Sequence, residues 1–183
     1  MLIREFSALA PDQAAQAARI LREAIEGPSY KAPGEAEAQT DSFRGGDPDR
    51  SALAALDGQQ VLGWIGAVKD YPHSLELHPL VVDPPADGQG IGRALVEALE
   101  GRAAADGYLA LHLGTDDDFG GTSLFGADLF PDALAQLATI TATPLGHPFF
   151  FYRKLGFEPV GLIPDANGFG KPDILMSKRL GRP

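Results

Sequence analysis

Where a strand-like stretch gives way to a helix-like one, the chain carries Gly88-Gln89-Gly90-Ile91-Gly92-Arg93. Three glycines at that junction constrain the fold more than any other feature. Before them, Leu75-Glu76-Leu77-His78-Pro79-Leu80-Val81-Val82 reads as a strand, followed by a Pro/Gly loop over 83–88. After them, Ile91, Leu95 and Leu99 recur every four residues, and Gly107 suits the C′ position of the resulting helix. Glycine lets a backbone approach a ligand closely, and free N–H groups at a helix start favour phosphate. Two phosphate signatures are missing. The dinucleotide spacing G-x-G-x-x-G would need glycine where Arg93 stands. Gly170-Lys171 is followed by Pro172 and has Asp165 where a P-loop begins with glycine. The loop is thus an anion cradle of another kind or a turn without a ligand.

The flanking pattern predicts a single mixed α/β domain over 1–183. Residues 2–6 read as a first strand, and Pro11 opens a helix with a buried stripe through Ile25, ended by Gly27. Residues 27–50 are polar and rich in Gly and Pro, with a short helix expected around Glu35 to Phe43. Strands over 51–56, 61–69 and 75–82 form an antiparallel meander, with a break over 70–73. A strand follows at 109–114. The stretch 115–147 is loop and helix, with its helical part at Pro131 to Thr139. Pro148 opens a short helix stopped by Gly156, and strands over 157–163 and 173–180 make a final hairpin.

Composition narrows the function classes. Twenty-five acidic against 15 basic residues give a net charge of −10. That disfavours a phosphate-neutralising surface, so no nucleic-acid partner is expected, while a cationic molecule suits it. Between Arg102 and Arg153 there is no Lys or Arg, yet Asp106, Asp116, Asp117, Asp118, Asp128 and Asp132 all lie there. The absence of cysteine excludes disulfides and thiolate chemistry. The charged start and the lack of a long apolar run predict a cytoplasmic protein with no membrane partner.

Three groups of residues carry chemistry. Glu76, His78 and Leu80 share one strand face, so a carboxylate and an imidazole project together. They can serve as proton acceptor and orienting partner, or simply satisfy each other. Pro79 has no N–H, which invites a bulge beside Leu80 and frees a donor for a developing oxyanion. Asp116 and Asp117 follow a strand at its carboxyl end, as ligand contacts or as a solvated acidic loop. His73, Glu76 and His78 are a poor metal set because His73 falls in a turn, so no metal is expected. Tyr152 belongs to an aromatic run, either core or catalyst.

The order of these elements, with Gly88 to Gly92 after a strand ending Leu80-Val81-Val82, resembles the GNAT superfamily of acetyl-CoA-dependent N-acetyltransferases. Five segments narrow the likeness: Glu76 to Val82, Leu113 to Asp117, His147-Pro148, Phe151-Tyr152, and Pro164 to Gly168 with Lys171 to Ile174. Together they resemble chromosomally encoded aminoglycoside 6'-N-acetyltransferases. The resemblance implies an α/β (α+β) fold with a mixed central sheet, antiparallel meander, pyrophosphate loop–helix and C-terminal hairpin. It implies that Leu80, Val81 and Val82 line the pantetheine arm, with the Leu80 N–H facing the thioester carbonyl. Gly88, Gln89, Gly90, Ile91, Gly92 and Arg93 are implied to wrap the pyrophosphate. Tyr152 is implied to protonate the departing thiolate, and Glu76 and His78 to line the acceptor side, with Asp116 and Asp117 beside them. Acetyl-CoA is then the cosubstrate, a polycationic small-molecule amine the acceptor, and a homodimer the assembly. Asp87 stands where the family has Arg or Gln. The alternatives are a polyamine or a basic protein's lysine as acceptor, or a CoA-binding sensor without turnover.

Overall fold

A computed structural model describes residues 1–25 and 31–181 in two compact units, Met1–Leu109 and Ala110–Pro183. In the first unit, strands β1 (Leu2–Glu5), β2 (Arg50–Asp57), β3 (Gln60–Tyr71) and β4 (Ser74–Val82) pair antiparallel in chain order. Helices α1 (Pro11–Ala24), α2 (Glu35–Ser42) and α3 (Ile91–Ala105) complete it. Pro11 starts α1 because its missing N–H falls where no helical partner exists, and Gln13 reaches back to accept the Ala10 N–H at 3.1 Å. The expected stop at Gly27 lies outside the described residues.

Trp64 organises the core of this unit. It is fully buried on β3, with ring centroids 4.8 Å from Phe6 and 5.6 Å from Phe43. Its indole N–H donates to the Ala17 carbonyl at 3.1 Å, so the large apolar body is buried without stranding its polar atom. Small residues Ala17 and Ala18 let α1 approach that ring, and Ile20 and Leu21 fill beside them. On α3 the predicted stripe of Ile91, Leu95 and Leu99 is buried, and so are Val96 and Ala103. Each fully buried Leu of this kind contributes about 1.5–3 kcal/mol.

In the second unit, β5 (Ala110–Asp116), β7 (Asp173–Arg179) and β6 (Glu158–Ile163) pair antiparallel in that order. Helices α4 (Ala133–Ala138) and α5 (Pro148–Lys154) are short. The expected break over 70–73 narrows to a turn at Pro72-His73, since Tyr71 pairs with Ser74. Among the described residues no helix is long and apolar enough to cross a membrane.

Candidate active site

In the first unit the site residues stand on β4, whose burial alternates as its sequence demands. Leu75, Leu77, Pro79 and Val81 are buried, while Glu76, His78, Leu80 and Val82 lie half-buried on the other face. Pairing against β3 runs Ile65 to Leu80 but Ala67 to Leu77, leaving an extra residue on β4 at His78-Pro79. This is the bulge that Pro79 predicts, and bulges re-aim neighbouring side chains. Gly66 makes it possible: a Cβ there would collide with the His78 carbonyl oxygen and the Phe43 ring.

Beyond β4, Asp83 is buried and fixes the chain's exit. Its carboxylate accepts from both terminal nitrogens of Arg19, at 3.1 and 3.0 Å, a hydrogen-bonded contact that raises the guanidinium above its ordinary value. The glycine loop then opens outward, with residues 87–90 exposed and left-handed backbone at Gly88 (φ 72°) and Gly90 (φ 82°). Gly90 is the N-cap of α3, a helix of 15 residues whose first N–H groups have no helical acceptor. Space is open at both glycines, with no heavy atom within 4 Å of a Cβ built there. These residues fit an anionic group at a helix start. Asp87 works against it, because its carboxylate accepts the Gly88 N–H at 2.8 Å. Arg93 is exposed and 3.6 Å from Glu97. A cavity of about 170 Å³ lies elsewhere in this unit, lined by Arg50, Lys69, Leu99, Arg102, Asp106 and Tyr108, and none of the candidate site residues lines it.

In the second unit the acidic run at the end of β5 separates into different roles. Asp116 is exposed, and its carboxylate accepts from Asn167 Nδ2 at 2.5 Å. Asp117 has no exposed surface. Its Oδ1 accepts the N–H groups of Gly120 and Gly121 at 3.0 and 2.8 Å, and its Oδ2 that of Thr122 at 2.8 Å. Asp117, expected beside the acceptor, thus has both carboxylate oxygens committed to holding a loop. Tyr152 is buried on α5, its ring edge-on to Phe151 and Phe157, and burial pushes its phenol well above the ordinary range.

Sequence reasoning assigned no role to His147, which is buried and caps α5 by accepting the Phe149 N–H. A polar residue directly before Pro148 was the available signal, since Pro favours the first helical position. Among the described residues no group of three or more His, Asp or Glu is arranged to hold a metal ion.

Against this geometry, the sequence matches the acetyltransferase (GNAT) family over residues 16–123. An aminoglycoside 6'-N-acetyltransferase complexed with coenzyme A is similar across 100% of this chain and 99% of its own, at 38% identity and a TM-score of 0.91. The aminoglycoside 6'-N-acetyltransferase from Enterococcus faecium gives 38% identity and a TM-score of 0.89 over the same shares. Among curated proteins, N-alpha-acetyltransferase 80 of Mus musculus is 47% identical over 53 residues, which is 29% of this chain and only 17% of that protein. The chain belongs to the GNAT acetyltransferase family, adopts its mixed α/β fold, and is an N-acetyltransferase.

Proposed function

We propose that the protein transfers an acetyl group from acetyl-CoA to an amine of a polycationic small molecule, foremost the 6'-amine of an aminoglycoside. The observation carrying this is full-length likeness, at 38% identity, to an aminoglycoside 6'-N-acetyltransferase complexed with coenzyme A. Acetyl-CoA supplies an activated thioester. Gly88 to Arg93 receive the pyrophosphate at the α3 start, while Leu80, Val81 and Val82 line the pantetheine arm. The attacking amine must lose a proton, and Glu76, with His78 beside it on β4, takes it directly or through water. The Leu80 N–H stabilises the oxyanion as the nitrogen–carbon bond forms. As the carbon–sulfur bond breaks, Tyr152 donates its phenolic proton to the thiolate, and the proton taken up by Glu76 passes to solvent, from which the phenol is restored. No covalent enzyme intermediate is needed. Asp116 favours a cationic acceptor, and Asp117 holds the loop beside it.

Both units act as one acetyltransferase domain in this reading, and the protein works as a homodimer. Exposed Phe130, Leu134, Val160 and Ile163 supply apolar surface for the second copy. A reaction that consumes acetyl-CoA, in a chain without cysteine, suits the cytoplasm. A second reading, acetylation of a protein amine, is favoured by the 53-residue match to the mouse N-alpha-acetyltransferase.

Thiol release from acetyl-CoA, measured with aminoglycosides, polyamines and basic peptides, separates these readings. Fast turnover of aminoglycosides is expected. Turnover of peptides or polyamines alone would replace the acceptor, and no release with any amine would leave a CoA-binding sensor.

A further inference from the structure

His147 sits where the acidic loop meets the helix carrying Tyr152, and its two ring nitrogens have fixed and opposite roles. Nδ1 lies 3.1 Å from the Phe149 backbone nitrogen, which can only donate. Nε2 lies 3.0 Å from the Asp116 carbonyl oxygen, which can only accept. One protonation state alone satisfies both: a neutral ring with its hydrogen on Nε2. The imidazole therefore joins the end of β5 to the start of α5.

The acidic loop encloses the ring. Phe119 stacks on it, with centroids 5.4 Å apart and planes 19° from parallel. On another side the Gly121 backbone comes so near that a Cβ would lie 2.8 Å from His147 Cδ2. The three N–H groups clasped by Asp117 hold that backbone in place. His147 also accepts the Phe150 N–H on its own carbonyl at 3.1 Å, so two backbone donors at the helix start depend on this residue. Tyr152 follows four residues after Pro148, one helical turn further along.

We propose that His147 is a positioning residue for Tyr152: its neutral Nε2–H imidazole locks α5 to the acidic loop and so sets where the phenol stands. This rests on Tyr152 being the proton donor to the thiolate. A helix start displaced by an ångström misplaces a catalytic group enough to cost up to about a hundredfold in rate.

The discriminating variant is His147→Asn. Asparagine is a strong N-cap and keeps an acceptor for the Phe149 N–H, but is too short to bridge to Asp116. Thermal stability close to wild type is expected, with kcat about tenfold lower, the KM for acetyl-CoA nearly unchanged, and no further loss when the change is made in Tyr152→Phe. Wild-type kcat would reduce His147 to a helix cap and overturn the proposal. So would an equal loss in the Tyr152→Phe background, since the residue would then act independently of Tyr152. If Tyr152→Phe alone leaves kcat intact, the proton-donor reading fails first, and that outcome is separable from the others. In the wild-type protein, two-bond proton–nitrogen NMR of the His147 ring should give the Nε2–H pattern. An Nδ1–H ring, read without any variant, sinks the assignment.

Discussion

Tyr152 is kept protonated by its surroundings. Desolvation disfavours the phenolate, so its phenol is held above the ordinary value of about 10 and keeps its proton over a wider pH range. The same burial has a thermodynamic consequence. Between the unfolded and folded values the native state retains a proton that the unfolded chain has released. Stability is therefore complete below about pH 10 and falls as pH rises beyond it. Tyr152→Phe removes that contribution, and its thermal midpoint should decline less steeply than wild type above pH 10, measured side by side. Parallel alkaline slopes would mean that Tyr152 is solvated. Phenylalanine keeps the ring contacts with Phe151 and Phe157, so any loss of kcat in this variant belongs to the hydroxyl.

At the scale of elements, the loop after β5 shows how one acid can be buried and structural while its neighbour stays exposed. Asp116 is exposed, whereas Asp117 is buried under three N–H donors. Hydrogen bonds to a charged acceptor are worth roughly 1.5–3 kcal/mol each, and removing the acceptor strands buried donors. Asp117→Ala should thus lose about 3 kcal/mol or more of stability in denaturant unfolding, while Asp116→Ala stays within about 0.5 kcal/mol of wild type. Equal effects would mean that the clasp does not hold in solution. The sequence could not separate the two, because the run Asp116-Asp117-Asp118 offers three identical side chains and the partners appear only once the chain has turned back. Where spacing carries the signal, the reading held: Leu95 and Leu99 on α3, the β4 alternation, and the Pro79 bulge. It fell short at Asp70-Tyr71, where a break was expected but the chain runs on as an exposed continuation of β3. His147 was illegible for another reason: its bond to Asp116 spans 31 positions, and no local pattern encodes it.

At the scale of the molecule, a net charge of −10 must coexist with a polyanionic cosubstrate in the proposed reaction. The two demands fall on different sequence. From 103 to 152 there are six Asp and neither Lys nor Arg, whereas Gly88 to Arg93 offer backbone N–H groups and one cation. A field of one sign concentrates a multiply charged acceptor, and the gain grows with the acceptor's charge. Salt shortens its reach, from about 10 Å at 0.1 M to about 3 Å at 1 M. The KM of a polycationic amine should therefore rise several-fold over that range. An acceptor with a single amine should show a much flatter response at equal acetyl-CoA. Both are measured by thiol release, with acetyl-CoA saturating at every ionic strength so that its own phosphate contacts do not enter. If the polycation's KM is as flat as the monoamine's, the acidity is a solubility device. Recognition of the acceptor would then rest on shape and hydrogen bonds rather than on this field.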